Sequence, residues 1–224
     1  MPDTGRACQL YLITPPAFDL ESLAGKLDDA LGAVPQKVNG EHFVAAFQLR
    51  MEGADEAQWR AAIERLQPVC AKHGVAFILN EHIELVLEYD ADGIHVIRGG
   101  TPVAEARRRL GAERIVGITC LGSRDMAMKA GDAGADYVAF ASFYEQETNA
   151  EVGVARPDIL AWWQEFFVLP CMAMGGITPH NCRPLVMAGA DFIGVINAVW
   201  NCPEGAAAAV KAFDTAITEA LQNA

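Results

Sequence analysis

Short apolar runs alternate along this chain with longer stretches in which apolar residues recur every three or four positions. Eight runs rich in Val, Ile, Leu, Phe and Ala, at residues 9–14, 43–50, 76–80, 93–97, 115–120, 137–143, 171–175 and 192–198, read as β-strands. Several are apolar throughout, which suits parallel strands covered on both faces. Between them lie eight helical patterns, at 19–34, 55–73, 83–89, 102–110, 123–133, 158–167, 181–188 and 203–221. Leu20, Leu23, Leu27 and Leu31 mark one face of the first, and Trp59, Ile63 and Leu66 one face of the second. Gly74 stops that second helix, and Pro68 is expected to kink or shorten it. Pro102 opens the fourth helix and Ser123 caps the fifth. Strict alternation of eight strands with eight helices predicts an α/β fold, a single-domain (β/α)8 TIM barrel over residues 1–224.

That topology says where to look for chemistry, because such barrels carry their reactive groups at the C-terminal ends of the strands. The seventh strand runs into Ala173-Met174-Gly175-Gly176-Ile177-Thr178-Pro179. Two glycines admit a ligand close to the backbone, and Thr178 is placed to cap a helix beginning at Pro179. Together with the end of the eighth strand, Val195-Ile196-Asn197, this is a candidate phosphate site comprising Gly175, Gly176, Val195, Ile196 and Asn197. At the end of the second strand, alternation puts Gln48 and Arg50 on one side, facing the mouth of the barrel. Arg50 requires an anionic partner: a substrate phosphate, Glu52 or Glu81.

Asn80-Glu81-His82 ends the third strand. Asn80 offers a donor and an acceptor, and Glu81 is a candidate Mg²⁺ contact. His95 reads as a satisfied interior histidine before it reads as a base, His82 as a loop residue, and His180 as solvent-facing. The long segment after the sixth strand, with Ser142, Tyr144, Gln146 and Thr148, is a candidate lid over the mouth. Ser142 has no neighbouring base and orienter to make it a nucleophile.

Composition removes other classes. Seventeen Lys plus Arg against 29 Asp plus Glu give a net charge of −12, which disfavours nucleic acid as a partner. The one basic cluster, Arg107-Arg108-Arg109, reads as a solvated helix face. The longest uncharged run, residues 166–182, is broken by Pro170, Gly175-Gly176 and Pro179, so no membrane span is expected. Six cysteines without a CxxC pair, and an N-terminus without an apolar core, point to reduced thiols in a cytoplasmic protein. The sequence leaves a homo-oligomer open.

In order along the chain, Leu10-Tyr11-Leu12-Ile13-Thr14, Gln48-Leu49-Arg50, Asn80-Glu81, Gly93-Ile94-His95, Gly117-Ile118-Thr119, Gly134-Ala135-Asp136-Tyr137-Val138, Ala173-Met174-Gly175-Gly176-Ile177 and Gly189-Ala190-Asp191 resemble thiamine-phosphate synthases and their sister thiazole tautomerases, over residues 9–200. The resemblance implies a small phosphorylated heterocycle as ligand. In the synthases a pyrimidine diphosphate loses Mg²⁺-bound diphosphate, and a thiazole phosphate captures the cation. It further implies thiazole phosphate at Gly176, Val195 and Ile196, with Asn197 replacing a serine. The pyrimidine diphosphate falls on Gln48, Arg50, Asn80 and Thr119, the last standing in for a serine.

Departures from the family pattern collect on the diphosphate side. Glu52 and Asn149 stand where the resemblance implies lysines, Arg98 where it implies glutamine, and Gln146 where it implies threonine. Gly100 replaces a Mg²⁺ aspartate and Glu81 lengthens the other. A leaving diphosphate depends on cations for its stabilisation, so weakened transferase activity is expected. Two alternatives stand beside it. A tautomerase would need His82 or His95 to replace the histidine that the sister family carries at Ser142. A non-catalytic binder would keep only the phosphate site.

Overall fold

The computed structural model describes residues 7–34, 42–144 and 155–222. Eight parallel strands close into a barrel in sequence order: β1 (Gln9–Ile13), β2 (Val44–Leu49), β3 (Ala76–Asn80), β4 (Gly93–Val96), β5 (Ile115–Leu121), β6 (Tyr137–Phe140), β7 (Cys171–Met174) and β8 (Phe192–Val195). Around them run α1 (Leu20–Leu31), α2 (Glu56–His73), α3 (Ile83–Tyr89), α4 (Val103–Leu110), α5 (Arg124–Asp132), α6 (Pro157–Phe166), α7 (Arg183–Met187), α8 (Asn197–Trp200) and α9 (Ala206–Gln222). The expected barrel is therefore present.

Strand periodicity divides the apolar residues into two sets. Tyr11, Ile13, Ala46, Ile78, Tyr137, Ala139 and Met172 fill the barrel interior. Their outward neighbours, among them Leu10, Leu12, Phe47, Phe77 and Ile94, join the helices' apolar faces in a larger outer layer. Helix starts follow local chemistry. Asp19 accepts from Ser22 N–H, Ser123 accepts from Met126 N–H, and Asp55 with Gln58 forms a capping box on α2.

The structure departs from the pattern in several places. Helix α2 continues through Pro68 to His73; its capping box, left-handed Gly74 stop and buried Trp59, Ile63, Leu66 and Cys70 outweigh one lost hydrogen bond. Pro102 is the N-cap of α4, one position before the first turn. Strand β6 ends at Phe140 and β8 at Val195, so residues 141–143 and 196–198 belong to the mouth. The short α8 is additional, and its Trp200 Nε1 donates to Ile13 O, tying β8's exit to β1. Helix α7 begins at Arg183, not near Pro179. Among the described residues no helix is long and apolar enough to cross a membrane, and none of the six cysteines is in a disulfide.

Candidate active site

The mouth of the barrel has two sides. On the β2–β4 side, Gln48 follows Ala46 into the interior and is 2% exposed. Its Nε2 donates to Asn80 Oδ1 at 2.9 Å. Its Oε1 is buried and has no hydrogen-bond partner among the described residues. A buried acceptor without a partner is costly, and at a mouth it is a natural place for a ligand donor. Arg50, one residue beyond β2, is exposed and paired with Glu52, so Glu52 and not Glu81 is its partner. Thr14, a residue the sequence did not single out, fixes the Arg50 backbone. Its hydroxyl accepts from Arg50 N–H at 2.8 Å and donates to Arg50 O at 2.6 Å.

Glu81 adopts a left-handed backbone, φ 65°. That turns its carboxylate onto the loop after β4, where Oε1 accepts from Ile97 N–H and Oε2 from Thr101 N–H at 2.9 Å. A Cβ on Gly100 would sit 2.5 Å from both carboxylate oxygens. The longer Glu81 and the missing side chain at Gly100 thus form one arrangement, the first occupying the room left by the second. Arg98 is exposed on the same loop and forms no ion pair with another described residue. His82 is not at the mouth: its ring packs on Trp59 at 4.2 Å between centroids, and burial lowers its pKa.

Behind this side lies a buried polar chain. Thr119 Oγ1 is 2.7 Å from His95 Nε2, His95 Nδ1 is 2.7 Å from the Tyr137 hydroxyl, and that hydroxyl is 2.8 Å from the Tyr11 hydroxyl. His95 is the satisfied interior histidine expected. Burial, and then the charge of Arg50, push its pKa down to about 3, so the ring is neutral.

On the β7–β8 side the backbone dominates. Gly175 and Gly176 have φ of 106° and 64°, values that side chains resist. A Cβ on Gly175 would lie 2.1 Å from Ser142 Oγ. Asn181, also not singled out by the sequence, braces this loop: its Oδ1 accepts from Thr178 N–H at 2.7 Å and its Nδ2 donates to Gly176 O at 3.0 Å. Thr178 is not the cap of α7, which begins at Arg183 after Cys182. Across the Met174–Gly194 register lies the β8 exit, where Val195 is buried, Ile196 half-buried and Asn197 exposed. The first turn of α8 starts at Asn197, leaving N–H groups without carbonyl partners inside the helix.

Residues 142–144, after β6, pack against this side. Phe143 N–H donates to Met174 O at 3.3 Å and Tyr144 N–H to Gly175 O at 3.1 Å. Tyr144 Oη donates to Asn181 O at 2.7 Å, and Ser142 Oγ to Tyr144 O at 3.0 Å. Ser142 is thus a structural hydroxyl here. Gln146 and Thr148, with Asn149, lie outside the described residues.

Comparison with known proteins agrees with this architecture. The family model described as thiamine monophosphate synthase matches residues 10–199. A thiamine-phosphate synthase of Rhodospirillum centenum is 48% identical over 207 residues, covering 92% of this chain and 96% of that one. Another, from Erythrobacter litoralis, is 42% identical, covering 98% and 100%. In fold, the thiamine phosphate pyrophosphorylase from Pyrococcus furiosus superposes with a TM-score of 0.80 at 24% identity, over 95% of this chain and 96% of that one. The match to the family model across most of the barrel, and the identity to these relatives over nearly their whole length, establish that the chain belongs to the thiamine monophosphate synthase family.

Proposed function

We propose that this chain is a transferase of the thiamine-phosphate synthase type with a weakened diphosphate side. A thiazole phosphate is held by backbone at Gly175, Gly176, Val195, Ile196 and Asn197. A pyrimidine methyl diphosphate is held at Gln48, Arg50, Asn80 and Thr119. The C–O bond to diphosphate breaks with its electron pair leaving on oxygen, and the thiazole nitrogen forms the new C–N bond to the methylene carbon. The observation that supports this reading most is the buried, unpartnered Gln48 Oε1 beside Asn80. An amino-substituted ring supplies the missing N–H, and Asn80 keeps a donor for a ring nitrogen.

Mg²⁺ belongs to the family's chemistry, but the residues of this chain do not fit a resident ion. Both oxygens of Glu81 are engaged by N–H groups of the 97–101 loop, and Gly100 supplies no second carboxylate. No cluster of three or more His, Cys, Asp or Glu among the described residues could hold a metal. The cations assigned to the leaving diphosphate are Arg50 and Arg98, the first of them shared with Glu52.

The test is a turnover assay with thiazole phosphate, pyrimidine diphosphate and Mg²⁺, detecting thiamine phosphate, alongside calorimetric titration of each ligand. Slow product formation with clear thiazole phosphate binding is the expected result. Turnover as fast as an unmodified synthase of the family would overturn the weakened diphosphate side. Absence of binding by both ligands would overturn the whole reading. Thiazole phosphate binding without any product would leave the chain as a binder alone.

A further inference from the structure

We propose that the chain Tyr11–Tyr137–His95–Thr119 is a one-way hydrogen-bond relay that fixes the Thr119 hydroxyl as a donor into the mouth, so that the ligand must present an acceptor atom there. The inference refines the pyrimidine side of the proposed function and rests on that reading only for the identity of the ligand.

Four groups are joined by three contacts of 2.7–2.8 Å. A neutral imidazole carries one N–H and one bare nitrogen, so it passes the direction of one neighbour's bond to the other. His95 is neutral because it is fully buried under the charge of Arg50. Three arrangements then satisfy all three contacts. One, in which Tyr11 and His95 Nδ1–H both donate to Tyr137, leaves the Tyr137 hydrogen without a partner inside the barrel. The other two each run one way along the chain. In the first of these, Tyr11 donates to Tyr137, Tyr137 to His95 Nδ1, and His95 Nε2–H to Thr119 Oγ1. In the second every bond is reversed, and Thr119 donates to Nε2.

The two one-way arrangements differ in where the last hydrogen is left. In the reversed one it sits on Tyr11, which is 2% exposed. Tyr11 and Tyr137 border a cavity of about 190 Å³ at the lower end of the barrel, whose other walls include Ala46, Ile78, Ile115 and Phe192. Its one carboxylate, Asp136, turns Oδ2 to Arg107 and to Val116 N–H. A water in so apolar a space would find too few partners to be held. The Tyr11 hydrogen would therefore be an orphaned buried donor, rarer in folded proteins than an under-used acceptor.

In the forward arrangement the last hydrogen sits on Thr119, half-buried at the mouth. There, among the described residues, it meets only Met174 Sδ at 4.0 Å, a weak acceptor that a ligand displaces at little cost. Gly117 serves the same construction, since a Cβ there would come within 2.0 Å of the Tyr137 ring. His95, Tyr137 and Tyr11 are positioning residues: none needs to touch the ligand, and together they decide what Thr119 offers it.

The tautomer of His95 tests this directly in the free protein. Long-range ¹H–¹⁵N correlation spectra of ¹⁵N-labelled protein, with His95 assigned by its disappearance in His95→Gln, are expected to show hydrogen on Nε2 and a bare Nδ1. Tyr137→Phe should move the Nδ1 resonance, while Thr119→Val should leave the tautomer unchanged, because the direction is set from the buried end. A proton on Nδ1 in the wild-type protein overturns the relay, whether or not the chain turns over substrate. An Nε2–H tautomer without turnover supports the relay and counts against the proposed function instead. Where activity is measurable, His95→Gln, whose amide can still donate to Thr119, should keep KM for the pyrimidine diphosphate within about threefold. His95→Leu should raise it about tenfold, the loss expected for one buried hydrogen bond. Equal KM values in those two variants would count against the relay as well.

Discussion

The two sides of the barrel mouth are built from different material. On the β2–β4 side the polar groups are side chains, and nearly all are already satisfied within the protein. Arg50 is paired with Glu52, Glu81 with the N–H groups of the 97–101 loop, and Gln48 Nε2 with Asn80. Gln48 Oε1 is buried without a partner among the described residues, and Arg98 is exposed without an ion pair among them. On the β7–β8 side the proposed phosphate contacts are backbone groups of Gly175, Gly176 and the α8 start, braced by Asn181 and by residues 143–144. A site made of side chains can be retuned one substitution at a time, whereas a site made of backbone tolerates almost none. Gly175 and Gly176, held at positive φ, belong to the second kind.

The largest effect should come from Gly175→Ala. Its Cβ would meet Ser142 Oγ and would demand a φ of 106° from an ordinary residue. Strain of this kind costs about 1–3 kcal/mol, and the loop would move to relieve it. Thiazole phosphate affinity measured by calorimetry should fall about 100-fold, with a lower melting temperature. Affinity within threefold of the wild type would show that the cradle is not made of this backbone.

Gln48→Met probes the other side. It removes an orphaned acceptor, so the free protein should be equally stable or gain up to about 1 kcal/mol in denaturant unfolding. Pyrimidine diphosphate binding should fall about 10- to 100-fold, with thiazole phosphate binding unchanged. A loss of stability with no change in binding would mean that Gln48 is only a packing element.

The fold was legible in the sequence because periodicity, caps and stops agree from Leu20 to Ala220. The barrel's interior layer could be read by alternation alone. What was not legible depends on side-chain direction across the fold. Nothing in the order of residues shows that Glu81 turns into the gap at Gly100, since the two are 19 positions apart and the contact needs the left-handed turn at Glu81. Thr14, Tyr137 and Asn181 were missed because each acts through a partner distant in sequence or through backbone atoms. The expected helix start at Thr178-Pro179 is a turn closed by Asn181 and Cys182 N–H groups on Thr178 O, and α7 begins only at Arg183.

A third prediction asks how firmly the side-chain half is tied to the core. The pKa of His95 lies near 3 when folded and near its ordinary 6.5 when unfolded. Between those values the unfolded chain binds the extra proton, so stability is full above about pH 6.5 and falls as the pH drops toward 3. The slope contributed approaches one proton, about a tenfold change in the folding equilibrium per pH unit. Chemical denaturation at pH 7, 6 and 5 should show this loss in the wild type and a shallower one in His95→Gln. Equal slopes in the two proteins would mean that the histidine is not the titrating group.

The smallest effect separates the two sides most cleanly. Glu52→Gln removes the partner of Arg50 on an exposed part of the mouth, where side-chain exposures are 47% for Arg50 and 69% for Glu52. A pair so open contributes little to stability, about 0–1 kcal/mol, so the melting temperature should hardly move. The freed guanidinium should instead raise affinity for inorganic pyrophosphate about three- to fivefold at low salt, and the gain should shrink as ionic strength increases. Thiazole phosphate should bind as before, because its cradle is backbone on the opposite side of the mouth. If its affinity rises by the same factor, Arg50 is acting on both ligands through a common field, and the division into a tunable side and a fixed side does not hold.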